Sequence, residues 1–153
     1  MNIEQRNKLA ESMRHYLSGR ISNFEFMERT EELWVSKDKA VRKIMQSFWM
    51  GYDDLKEHKN EGKHKISSDG ELYVKTMILF LKSDNEYNWE DFKYDNIPFL
   101  RAIIYLVTFG KYPEVWDKEI MKKGDYDVWP FLTKSEFDNE ISNPKYLNKL
   151  TEY

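Results

Sequence analysis

The chain has no cysteine, which removes disulfides, a thiol nucleophile and cysteine-ligated zinc from consideration. Its six glycines and four prolines are spread thinly over 153 residues, and the glycines stand one at a time. That excludes a glycine-rich phosphate cradle, and neither a G-x-S-x-G nucleophile turn nor an H-E-x-x-H zinc helix occurs. No apolar run approaches the ~20 residues of a membrane-spanning helix. The longest candidate, 97–109, is too short and contains Arg101. The opening stretch MNIEQRNKLAESMRHYL lacks the uninterrupted apolar core of a signal peptide. The expectation is a soluble, cytoplasmic protein with no membrane partner, and the missing cysteines suit a reducing compartment.

What is present is apolar bulk with a charged coat. Hydrophobic residues make up 41% and aromatics 16%, enough for a core, and the length fits a single domain over 1–153. Charged residues are 33%, with a net charge of −3 that is unevenly shared. Residues 1–65 carry 13 Lys/Arg against 11 Asp/Glu, whereas residues 66–153 carry 11 against 16. Nucleic-acid binding requires concentrated positive charge, so this balance argues against it.

The periodicity is helical. Leu9, Met13, Tyr16 and Leu17 recur at steps of three and four from Ile3 to Leu17, and Ser18-Gly19 supplies a stop. Ser22 or Asn23 caps a short second helix bearing Phe24, Met27 and Leu33. Ser36 opens a long third helix, Lys37 to Lys59, striped with Val41, Ile44, Met45, Phe48, Trp49, Tyr52 and Leu55. Ser68 and Glu71 form a capping box ahead of LYVKTMILFLK, an almost all-round apolar and hence central helix. Asn96 and Pro98 open another apolar helix, 97–109, which ends at Gly110; Pro113 opens one that ends at Gly124; Ser135 opens the last, Glu136 to Ser142. Strand-like alternation is scarce. The expected fold is an all-α, single-domain bundle of about seven helices with two central hydrophobic ones.

Groups able to do chemistry are few. Asp53, Asp54, Glu57, His58, Glu61 and His64 would place a carboxylate four residues from an imidazole on one helix face, suited to a divalent ion or a general base. They interleave with Lys56, Lys59, Lys63 and Lys65, the makeup of a solvated helix end, and the reading therefore assigns no catalytic residue, metal or cofactor. A small helical enzyme using Asp54, His58 and Glu61, or Asp84 and Glu86, is the alternative function.

The segment SDNEYNWEDF (83–92) carries more information. Asp84, Glu86, Glu90 and Asp91 surround Tyr87 and Trp89, a combination of steering charge and interface anchors. DYDVWPF (125–131) repeats the theme, with Asp125 and Asp127 beside Tyr126, Trp129 and Phe131. Each segment reads either as a staple, its aromatics plugging the core, or as a display for a partner. The candidate partner-binding residues are Asp84, Glu86, Tyr87, Trp89, Glu90, Asp91, Asp125 and Asp127.

With SDNEYNW and DYDVWPF together, the chain resembles a family of small, helical, uncharacterised bacterial proteins sharing an SD-x-EY-x-W segment and a D-V-W-PF segment. The likeness spans most of residues 10–140, and Glu90 stands where the family pattern would have proline. That family implies no activity. A looser resemblance to toxin immunity proteins implies a protein-binding module that neutralises a basic toxin through its acidic-aromatic surface.

Overall fold

A computed structural model describes residues 1–49, 55–89 and 123–143. Among these residues there are five α-helices, three short 3-10 turns and no strand. The helices are α1 (Ile3–Leu17), α2 (Asn23–Thr30), α3 (Lys39–Trp49), α4 (Ser68–Leu81) and α5 (Lys134–Ser142). The protein is all-α; the helix expected at 97–109, the second central one, falls outside the described residues, as does all of the one expected at 113–123 except Lys123, which lies in a turn.

α1 is the hub, packing against α2, α3 and α4. Leu9, Met13 and Tyr16 sit one helical turn apart on its inner face and are wholly buried. Tyr16 meets Phe26 of α2 and Phe48 of α3 at ring-centroid distances of 6.1 and 5.8 Å, and those two rings lie 4.8 Å apart. This tilted aromatic triad joins three helices, with Val41, Ile44 and Met45 continuing the α3 stripe.

α2 begins with a reciprocal capping box between Ser22 and Glu25. That start puts Phe26 on the face shared with Asn23 and Thr30, so Phe26 is the core residue. Phe24 and Met27, expected inside, are 43% and 39% exposed. α3 starts after Asp38, whose Oδ1 accepts from the Ala40 amide, rather than after Ser36. It also ends earlier than its stripe suggests, because residues 55–59 are not helical. Their backbone is used elsewhere: the Asn23 amide donates to the His58 carbonyl, Asn23 Oδ1 accepts from the His58 amide, and Asn23 Nδ2 donates to the Lys56 carbonyl. Leu55 is consequently 85% exposed.

α4 is capped by Ser67, one residue before the expected Ser68, through its hydroxyl and the Gly70 amide. Val74, Met77, Phe80 and Leu81 are its buried face, while Tyr73 looks outward beside Ser47 of α3. α5 is capped by Thr133 with Glu136, two residues ahead of the expected Ser135.

One buried ion pair ties the helix ends together. Arg6, 1% exposed, places Nε 2.9 Å from Asp38 Oδ2 and donates from Nη1 to the Asn85 carbonyl at 2.8 Å. The backbone amides of Asn2 and Ala40 complete the Asp38 carboxylate. Burial pushes this carboxyl up, but the Arg6 hydrogen bond, the two amides and the guanidinium charge more than offset it, so Asp38 titrates below its ordinary value. Asn85 in turn donates to Glu140 of α5 at 3.3 Å.

Candidate functional site: an acidic surface bearing tyrosines

The two acidic-aromatic segments form one structure. Trp89 is 4% exposed, and its indole N–H donates to the carbonyls of Pro130 at 3.0 Å and Phe131 at 3.2 Å. Trp129, 6% exposed, donates its own indole N–H to the Tyr87 hydroxyl at 3.3 Å. Phe131 is fully buried against Phe80 of α4, with centroids 5.0 Å apart. Both tryptophans are therefore staples. The role of Trp89 as an exposed anchor is corrected: its apolar area and its one polar atom are spent inside the protein.

The connecting turn is short and braced. Residues Tyr126–Val128 form a 3-10 turn whose start is held by Asp125, which accepts from the Asp127 amide. The Asp125 amide donates to the Leu132 carbonyl, and the Trp129 amide to the Tyr126 carbonyl. Gly124 is required by close approach: a Cβ there would come within 2.8 Å of the Trp89 ring and 2.9 Å of the Leu132 carbonyl oxygen.

This bracing leaves Tyr126 46% exposed, its ring edge-to-face with buried Trp89 at 5.2 Å. Tyr73, 36% exposed, stacks on Trp129 at 5.7 Å with 27° between planes. Burial raises the Tyr73 phenol above its ordinary pKa, the Ser47 hydrogen bond works against that, and the neighbouring Tyr126 phenol adds to the rise. Tyr126 on the turn and Tyr73 on α4 thus each rest on a tryptophan. Neither was singled out in the sequence as a contact residue, although Tyr126 stands between two acids and only the burial of its neighbours distinguishes it.

The remaining candidates divide. Asp84, Glu86 and Asp127 are exposed, Asp125 and Tyr87 are half-buried, and Glu90 and Asp91 lie outside the described residues. Glu86 faces the N-terminal ammonium group at 3.9 Å. Lys39 is turned inward, with Nζ 2.6 Å from the Trp89 carbonyl and 5.5 Å from the Tyr87 ring centroid. Lys75 is engaged by Glu71 at 2.7 Å.

The alternative constellation is arranged differently from its helical expectation. Asp53 and Asp54 lie outside the described residues. His58 and His64 stack at 4.2 Å, with the Tyr16 hydroxyl 3.3 Å from His58 Nε2. Glu57 accepts from the Ser22 hydroxyl at 2.7 Å, and the Glu61 side chain lies over Gly19. Among the described residues no group of three or more His, Asp or Glu side chains is placed to hold a metal ion, and no helix is long and apolar enough to cross a membrane.

No protein-family model matches the chain, and no curated protein or solved structure matches it either.

Proposed function

We propose that this protein is a cytoplasmic protein-binding module that receives a basic protein through Asp125, Tyr126 and Asp127, together with the exposed acids Asp84 and Glu86. The observation that carries the reading is Tyr126, left nearly half exposed between two aspartates on a turn that buried Trp89 holds rigid. A rigid tyrosine loses little entropy on contact and offers a large apolar face with a polar tip. The surrounding carboxylates steer a positively charged partner and speed its arrival.

A bacterial toxin is the partner class that the acidic C-terminal half and the likeness to immunity proteins favour. Neutralisation would then be mass action, with the charges setting the association rate and the tyrosine face slowing release. The test is affinity capture with the wild-type chain, repeated with Glu86→Lys/Asp127→Lys and with Tyr126→Ala. The reading expects a basic protein held by the wild type, released by salt, and lost from both variants. Co-expression should also relieve any toxicity of that protein. Equal capture by all three chains would refute the surface, and binding without relief of toxicity would remove the neutralising role.

A further inference from the structure

We infer that the outer face of α2, made of Phe24, Met27 and Glu28 with Glu31 at its end, is a docking site for a basic amphipathic helix of a partner protein. It lies on a different element from Asp125, Tyr126 and Asp127, and it does not depend on the reading given to them. The helical period brings these side chains together: Phe24 is three residues from Met27 and four from Glu28, and Glu31 follows Met27 by four. Phe24 is 43% exposed and Met27 39%, and both glutamates are exposed beside them. Neither Glu28 nor Glu31 has an ion-pair or hydrogen-bond partner for its carboxylate among the described residues. The other charges of this stretch are engaged elsewhere. Glu25 closes the capping box with Ser22, Glu32 pairs with Lys8, and Arg29 Nη1 lies 3.3 Å from His15 Nδ1 of α1.

The helix beneath this face is fixed from within. Phe26 is buried against Tyr16 and Phe48, Asn23 hydrogen-bonds the backbone of Lys56 and His58, and the Thr30 hydroxyl donates to the Phe26 carbonyl. A preformed face loses little entropy when it is covered. Its charge selects the occupant. A second copy of the same face would set Glu28 and Glu31 against themselves, and the anionic headgroups of a membrane surface would be repelled. A helix with apolar residues at steps of three and four can cover Phe24 and Met27 while flanking lysines or arginines reach the two carboxylates. Met27, flexible and polarizable, adapts to the shape that arrives.

The probe is a leucine–lysine peptide that forms an amphipathic helix, titrated into the full chain while NMR follows the Met27 methyl and the Phe24 ring. A scrambled peptide of the same composition and a leucine–glutamate helix are the controls. The probe should shift both signals saturably, with a dissociation constant on the order of 10–100 μM. Both controls should bind about tenfold more weakly or worse. Phe24→Ala/Met27→Ala and Glu28→Lys/Glu31→Lys should each weaken the probe about tenfold or more, the charge pair also removing most of its salt dependence. Glu86→Lys/Asp127→Lys alters net charge equally and should leave probe affinity within about twofold at physiological salt. Equal binding of the scrambled peptide, binding of the acidic helix, shifts confined to residues outside α2, or full affinity in either α2 variant would each overturn the site. Should Phe24→Ala/Met27→Ala fail to fold, Glu28→Lys/Glu31→Lys decides alone. A probe kept by the α2 variants and lost from Glu86→Lys/Asp127→Lys would sink this site and leave the reading of Asp125, Tyr126 and Asp127 standing.

Discussion

The indole N–H of Trp89 is shared between the carbonyl oxygens of Pro130 and Phe131, at 3.0 and 3.2 Å. This contact spans more than forty residues of chain and makes one body of two segments that are separate in sequence. It also fixes the turn on which Tyr126 is carried.

Trp89→Ala should therefore destabilise the protein by ~3–5 kcal/mol, as expected for deleting a large buried aromatic. Urea unfolding with an unchanged slope is the check. A loss below ~1 kcal/mol would mean that Trp89 is not packed where its hydrogen bonds place it.

Gly124→Ala is the complementary test, adding atoms where Trp89→Ala removes them. The new methyl group would meet both the indole and a backbone carbonyl oxygen, which cannot yield by rotating a side chain. A cost of ~1–3 kcal/mol is expected from overpacking. Neutral behaviour in the same urea melts would contradict the close approach.

Arg6 and Asp38 give a prediction in pH. Because the folded-state pKa of Asp38 is depressed, its contribution to stability is present above the unfolded value of ~3.9 and is lost as pH falls below it. Stability should decline on acidification through about pH 4 and below, and Asp38→Asn should flatten that part of the curve while lowering stability at neutral pH. Arg6→Met, which strands a buried carboxylate, should cost ~3–5 kcal/mol at pH 7 and less at low pH. An acid limb identical in wild type and Asp38→Asn, followed by circular dichroism, would show that other carboxylates are responsible.

Phe48→Ala should cost ~3–5 kcal/mol, since its ring closes the triad with Tyr16 and Phe26. Phe24→Ala should change stability by less than ~0.5 kcal/mol, because its side chain faces solvent. Reversed magnitudes in thermal melts would exchange the inner and outer faces of α2.

The sequence was most legible where a helix is amphipathic and its cap lies next to it. The α1 stripe of Leu9, Met13 and Tyr16 and the α3 stripe through Phe48 could be read directly, because a repeat at steps of three and four is itself the packing instruction. It was least legible where distant backbone overrides local pattern. Nothing near Leu55 announces that Asn23 will claim the backbone at Lys56 and His58, yet those three hydrogen bonds keep residues 55–59 from continuing α3. The same holds at the surface: Trp89 and Tyr126 are both aromatics among acids. Only the long-range contacts of Trp89 with Pro130 and Phe131 show that one is a staple and the other faces outward. The acids themselves were legible as exposed charge, since Asp84, Glu86 and Asp127 all face solvent.

The central claim is that this acidic, tyrosine-bearing face receives a basic protein, and association kinetics of the captured partner test it most directly. Binding of wild type, Glu86→Lys/Asp127→Lys and Tyr126→Ala would be followed at low and physiological salt, after confirming that all three melt alike. The account predicts that the charge reversals slow association about tenfold or more at low salt and remove most of its salt dependence, while Tyr126→Ala chiefly speeds dissociation. Rates in both variants within about twofold of wild type, with folding intact, would place the interface elsewhere on the molecule.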